Sequence, residues 1–217
     1  MKQEADKQKK AGEQCLKDLE SAGVDQKNKI DALNSVSKKM TTEFQVLQKN
    51  GICLESRIEE IGEPGGFRIF QKDGYRPWFE TSRANLSKDA QRCLSNIGDV
   101  WIKQINSNKY ISSSVKHVLI EGHANSEAYP GLNEKQNFLR NLGLSQERAY
   151  EAAKFLIEQL NTNITTPKRN YALREMIIAQ GKSYLEPVYT NSSKTKEDLE
   201  RSKRLEFKIV LGGKNAD

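Results

Sequence analysis

The apolar residues divide the chain near residue 51. Ahead of that point, Ile30, Leu33, Ser37, Met40, Phe44 and Leu47 follow one another at spacings of 3, 4, 3, 4 and 3. This is the a/d rhythm of a short heptad seam, with polar Ser37 at one a position, and it predicts a helix. The stripe can be hidden in two ways: against a second copy in a coiled coil, or on the domain that follows. The coiled coil is the expectation here, so residues 1–50 read as a dimerising helical stalk with a frayed start.

Beyond Gly51 the texture is strand-like. Ile52, Leu54 and Ile58 read as one short strand, Glu63-Pro64-Gly65-Gly66 as a turn, and Phe67 to Phe70 as the returning strand. Residues 51–76 are thus a strand pair and linker, and Trp78-Phe79 a further short strand. Ala90, Leu94, Ile97, Trp101 and Ile105 recur at helical spacing, with Ser87 as cap and Asp89 in the first turn. Val115 to Glu121 reads as a strand ended by Gly122. A second helix is expected to start at Ser145 and to bury Ala149, Ala152, Ala153, Leu156, Ile157 and Leu160. Leu173 to Ala179 reads as a strand, Thr190 to Arg204 as a loop or short exposed helix. Leu205, Phe207, Ile209 and Leu211 alternate as a last, one-faced strand. The order β-α-β-α-β-β over residues 77–212 predicts an α/β (α+β) sandwich with the helices on one sheet face, leaving 213–217 as a tail.

Composition then narrows the function. The 217 residues carry 35 basic and 29 acidic side chains, a net charge of +6. That mildly favours an anionic partner. The basic residues form only pairs such as Lys38-Lys39 and Lys203-Arg204, with no aromatic-basic stripe, so nucleic acid is not expected. No stretch approaches the length of a membrane span, and no apolar signal region follows the charged Met1 to Lys10. Cys15, Cys53 and Cys93 are odd in number and far apart, so neither a disulfide framework nor a zinc site is expected. His117 and His123 are too few for a histidine metal site, and no metal or cofactor is expected. Glu121 and Glu127 lie near His123, but no nucleophile–base–orienter set accompanies them, which argues against an enzyme.

One constellation is more specific than any periodicity. Ile120-Glu121-Gly122-His123-Ala124-Asn125 ends a strand, and Asn141-Leu142-Gly143-Leu144-Ser145-Gln146-Glu147-Arg148-Ala149 follows it. Together they resemble the signature of the OmpA-like (OmpA/MotB) peptidoglycan-binding domain at Gly122, His123, Asn141, Leu144, Ser145, Arg148 and Ala149. Three other pieces resemble the family in the right order. They are Phe79-Glu80-Thr81-Ser82-Arg83-Ala84-Asn85-Leu86-Ser87, then Gly181 with Pro187, and finally Lys203-Arg204-Leu205-Glu206. The stalk and the strand pair before the domain look like the periplasmic part of a stator-type B subunit, flagellar or Zorya-like (an anti-phage motor). The resemblance implies peptidoglycan as partner, a periplasmic location and a homodimer through the stalk. It also implies a membrane-embedded partner subunit and an inner-membrane tether absent from this chain.

The resemblance also implies a ligand site at Arg148, Asn125, Asn141, Leu144, Ser145, Thr81, Ser82 and Arg204. If Ser145 caps the second helix, Arg148 lies beside the helix N-terminus, and the two make a carboxylate-binding spot. In the family an acidic residue after the strand takes the ammonium of a diaminopimelate side chain, while the arginine takes its carboxylate. Here that position is Asn125, which brings no charge. His123 reads as a packing and hydrogen-bonding residue. Ser126 to Arg140 is longer than the family's usual connection, and its Tyr129, Pro130 and Phe138 are placed to cover or reshape the pocket. Leu199 and Ser202 stand where the closing region often has Arg and Asn. The alternative reading is an interaction scaffold that keeps the fold and has lost or altered the ligand.

Overall fold

The computed structural model describes residues 2–72, 78–79, 83–162 and 175–212. The first helix, α1 (Lys2–Lys49), lays one face on the rest of the chain. Its buried positions are Ala32, Leu33, Val36, Ser37, Met40 and Phe44. Val36 lies outside the heptad seam yet is 2% exposed, whereas Ile30, inside it, is 41% exposed. The buried stripe therefore follows the 3.6-residue period of a straight surface helix rather than the 3.5 of a supercoil. It packs against α2 (Lys88–Ser107), α3 (Lys109–Ser112) and β1 (Ser56–Glu60). Of the two ways to hide the seam, the chain uses its own domain. The helix closes with a Schellman turn, Ile52 N–H donating to Leu47 C=O and Gly51 N–H to Gln48 C=O.

The remaining elements are β2 (Phe67–Gln71), β3 (Val115–Gly122), α4 (Glu134–Thr162), β4 (Ile177–Gly181), α5 (Leu199–Ser202) and β5 (Arg204–Leu211). The five strands form one sheet in the order β1-β2-β5-β3-β4, antiparallel throughout except for the β3–β4 pair. This is the mixed α/β architecture the sequence predicts. Helices α1, α2 and α4 share one core with the sheet, built on Val118, Ile120, Leu205, Phe207, Phe67 and Ile69. At its centre Phe67 and Phe207 stack at 5.0 Å, and Trp101 meets both rings edge-on. The opposite sheet face is a charge lattice. Glu59 accepts from Arg68 and Arg201, Glu206 from Arg204, and Lys208 reaches Glu63 and Glu121.

Several local expectations need correction. Ile52 and Leu54 are not in a strand. Cys53 sits at φ +60° and is disulfide-bonded to Cys93 on α2, so the chain turns there and β1 begins at Ser56. Odd cysteine count and wide spacing hid that bond, because 40 residues of sequence separate partners whose Cα atoms are 4.8 Å apart. Trp78-Phe79 is no strand; Phe79 makes a single bridge to Leu86. Helix α4 starts at Glu134, not Ser145: the Ser126–Arg140 segment has become its first turns plus a loop, with Asn133 Oδ1 accepting from Gln136 N–H at the start. Of the predicted Leu173–Ala179 strand, the portion from Ile177 onward is in β4, and residues 173 and 174 lie outside the described residues.

Candidate functional site

Where β3 ends, the sheet comes into contact with the middle of α4. A Cβ on Gly122 would lie 2.1 Å from the Ser145 carbonyl oxygen, and one on Gly181 2.5 Å from the Gln146 backbone nitrogen. Only glycines permit this approach. Ser145 is fully buried here. Its hydroxyl donates to Leu142 C=O and accepts from Ser183 N–H, so it fastens the loop after β4 to the helix. The expected capping role of Ser145 is thus replaced by a clamp. The helix-dipole part of the carboxylate argument falls with it, since Arg148 projects from mid-helix.

The contact leaves a cavity of about 410 Å³. Its floor and walls come from α4 (Asn141, Leu144, Arg148), the β5 end (Lys203, Arg204, Leu205), the segment after β3 and the Trp78-Phe79 pair. Arg148, Asn125, Asn141, Leu144 and Arg204 are therefore brought together, and Ser145 lies behind them. Thr81 and Ser82 lie outside the described residues.

Arg148 is 6% exposed. Its Nε donates to Arg83 C=O at 3.1 Å, and the guanidinium lies over the Phe79 ring at 5.1 Å. Among the described residues no carboxylate pairs with it. Burial pushes the guanidinium below its ordinary value, yet an arginine stays protonated. Beside it, Asn141 Nδ2 is buried with no hydrogen-bond acceptor among the described residues. Arg204, also 6% exposed, is held by Glu206 Oε1 at 2.6 Å.

His123 lies between the walls, 1% exposed, its Nε2 3.9 Å from Glu121 and 3.8 Å from Glu206. Burial first, then the positive charges of Arg204, Lys208, Lys182 and Arg68, pushes the imidazole down to about 2, so the ring is neutral. It packs as expected, but neither nitrogen has a hydrogen-bond partner among the described residues. Glu121, His123, Glu206 and exposed Glu186 bring potential metal-ligand atoms within 4.8 Å of one another. Ammonium groups already sit on these carboxylates: Lys208 at 2.8 Å and Lys182 at 3.0 Å from Glu121. Burial works against the Lys208 ammonium, but its bonds to Glu121 and Glu63 outweigh that and hold it above the usual lysine range.

The lengthened connection supplies part of the site. Tyr129 and Pro130 line the cavity, and Arg140 lies 4.7 Å over the Tyr129 ring. Glu127, weighed in the sequence only as an acid/base candidate, lines it too. Phe138 instead packs edge-on against Tyr184, away from the cavity. The signal for Glu127 was the extra length itself, which shows where material is added but not which side chains turn inward.

A sheet with helices on one face, and an arginine-lined cavity at the end of its β3 strand, define an OmpA/MotB-like fold. The chain is similar to a MotB-like protein from Desulfovibrio vulgaris, with 18% identity and a TM-score of 0.54 over 88% of this chain and 99% of that one. It is also similar to the cell wall anchor of the T6SS from Pseudomonas aeruginosa (19% identity, 80% and 97% covered, TM-score 0.43). The periplasmic domain of Helicobacter pylori MotB gives 16% identity, 74% and 84% covered, and a TM-score of 0.46. No model of a known protein family and no curated protein matches the chain.

Proposed function

We propose that this protein is a non-catalytic cell-wall binding module, in which Arg148 holds a carboxylate of the peptidoglycan stem peptide, that of diaminopimelate. One observation carries the reading. Arg148 is a buried guanidinium lining a cavity, with no carboxylate partner among the described residues and with the unsatisfied Asn141 Nδ2 beside it. A desolvated cation is costly unless something neutralises it, so the cavity is suited to an anion of matching planarity. Bound there, the ligand would anchor a larger, stator-like and membrane-associated assembly to the wall.

The location follows in the same reading: the periplasm, with an inner-membrane tether supplied outside this chain and a membrane-embedded partner subunit. The Cys53–Cys93 disulfide supports an oxidising compartment. Among the described residues no helix is long and apolar enough to cross a membrane. Homodimerisation, if mediated by α1, would use the exposed stretch ahead of Ala32, since the seam beyond it is covered. Sedimentation of the chain with and without residues 1–28 tests this, and a monomer in both refutes it.

The direct test of binding is co-sedimentation with purified peptidoglycan sacculi. Wild type is expected in the pellet and Arg148→Ala in the supernatant. Equal pelleting of the two overturns the reading and leaves the interaction-scaffold alternative.

A further inference from the structure

We propose that Glu127, supplied by the lengthened connection, is the residue that receives the ammonium which the resemblance assigns to position 125, where Asn125 brings no charge. The inference deepens the carboxylate reading of Arg148 and rests on it. The charges around the cavity are segregated. Arg148 and Arg204 are buried in its walls, whereas Glu127 is exposed at its rim. Glu127 is the sole carboxylate among the described lining residues, and no cation among the described residues pairs with it. A ligand that enters carboxylate first and leaves an ammonium at the rim would satisfy both poles. A plain dicarboxylate would satisfy only the inner one.

The carboxylate is not left to wander. Asn125, 7% exposed, donates from Nδ2 to Glu127 Oε2 at 3.3 Å. An ionised carboxylate only accepts, so this contact fixes which end of the Asn125 amide faces it. Between them Ser126 is pinned to Glu197 through both its backbone N–H and its hydroxyl. Upstream, Ala124 N–H donates to Ser183 C=O. Asn125 is then a positioning residue: it holds Glu127 rather than the ligand's ammonium. The inserted connection, which looked like a cover, carries the missing charge.

An aspartate at position 125 would strengthen the hold on an ammonium if position 125 contacts it. With Glu127 in that role, Asn125→Asp places two carboxylates side by side and removes the donor that steadies Glu127.

The test is calorimetric titration of the full chain with meso-diaminopimelate and with pimelate, the same carbon chain without amino groups. Wild type is expected to bind diaminopimelate at least tenfold more tightly than pimelate. Glu127→Gln is expected to lose about tenfold for diaminopimelate and nothing for pimelate, because only the ammonium contact is charge-assisted. Asn125→Asp should also weaken diaminopimelate binding. Glu127 is exposed, so its variant should fold, and an unchanged melting temperature checks that. If Glu127→Gln binds diaminopimelate like wild type while Arg148→Ala does not, the Glu127 assignment is overturned and the carboxylate reading stands. If Arg148→Ala matches wild type on both compounds, the carboxylate reading itself is lost, and the Glu127 proposal with it.

Discussion

The two walls of the cavity each present an arginine with 6% of its surface exposed, and the two are in opposite electrostatic positions. On the β5 wall, Arg204 is bonded to Glu206 and backed by the charge lattice of the sheet face opposite the core. On the α4 wall, Arg148 has a backbone carbonyl and an aromatic ring but no described carboxylate. Equal burial with unequal pairing separates a cation that holds the structure from one that is available. Exposure alone would have ranked them together, and so would their shared resemblance to a family motif.

The largest expected effect lies on the β5 wall. Arg204→Met leaves Glu206 buried without its closest partner, and breaking such a pair costs about 3 kcal/mol. Urea unfolding should show it, and a loss below about 1 kcal/mol would erase the distinction between the walls. On the α4 wall the effect on stability is small. Arg148→Met removes a desolvated cation together with its described hydrogen bond to Arg83 C=O, so stability should stay within about 1 kcal/mol of wild type. Ligand affinity should fall by about 10- to 150-fold, or roughly 1.5–3 kcal/mol. A drop in stability as large as that of the Arg204 variant would mean that Arg148 is structural after all.

The smallest effect leaves both arginines in place and titrates the ring between them. His123 stays neutral in the folded protein down to about pH 2, whereas in the unfolded chain it takes up a proton below about 6.5. The unfolded state therefore binds more protons at low pH. Stability contributed through this residue falls as pH drops below 6.5 and is unaffected above it. Between pH 6 and 4 the slope from this one ring rises from about 1 to about 1.4 kcal/mol per pH unit. Comparing unfolding of wild type and His123→Gln across that range should show a shallower slope in the variant. Equal slopes would mean that the buried ring is protonated in the fold.

Sequence patterns captured what depends on local spacing. Helix α2 has its Ser87 cap and its apolar stripe, β3 and β5 lie where the patterns place them, and a mixed α/β layout follows from their order. Patterns failed where a long-range contact decides. Helix α4 reads as starting at Ser145 because the capping signal at Asn133 lies inside the long connection after β3. Val36 completes a stripe that docks on β1 and α2, but the heptad template passes over it. Cys53 and Cys93 meet only after β1, β2 and α2 have assembled. At the site, residue type identified Arg148 and Asn141. Whether a carboxylate faces each of them is a property of the fold, and Glu127 became visible only once Asn125 was seen to point at it.

The disulfide has a mechanical consequence. A pull on the start of α1 would load the chain in series, and tension reaching Cys53 would find two routes onward: the backbone through β1 and β2, or the sulfur bridge to Cys93. The bridge is far the shorter route. Load would therefore pass from α1 directly into α2, and the β1–β2 pairing would lie off the force-bearing line, protected from being peeled from the sheet edge. In reducing conditions that shortcut opens, and the same pull would fall first on the five-residue pairing of β1 with β2.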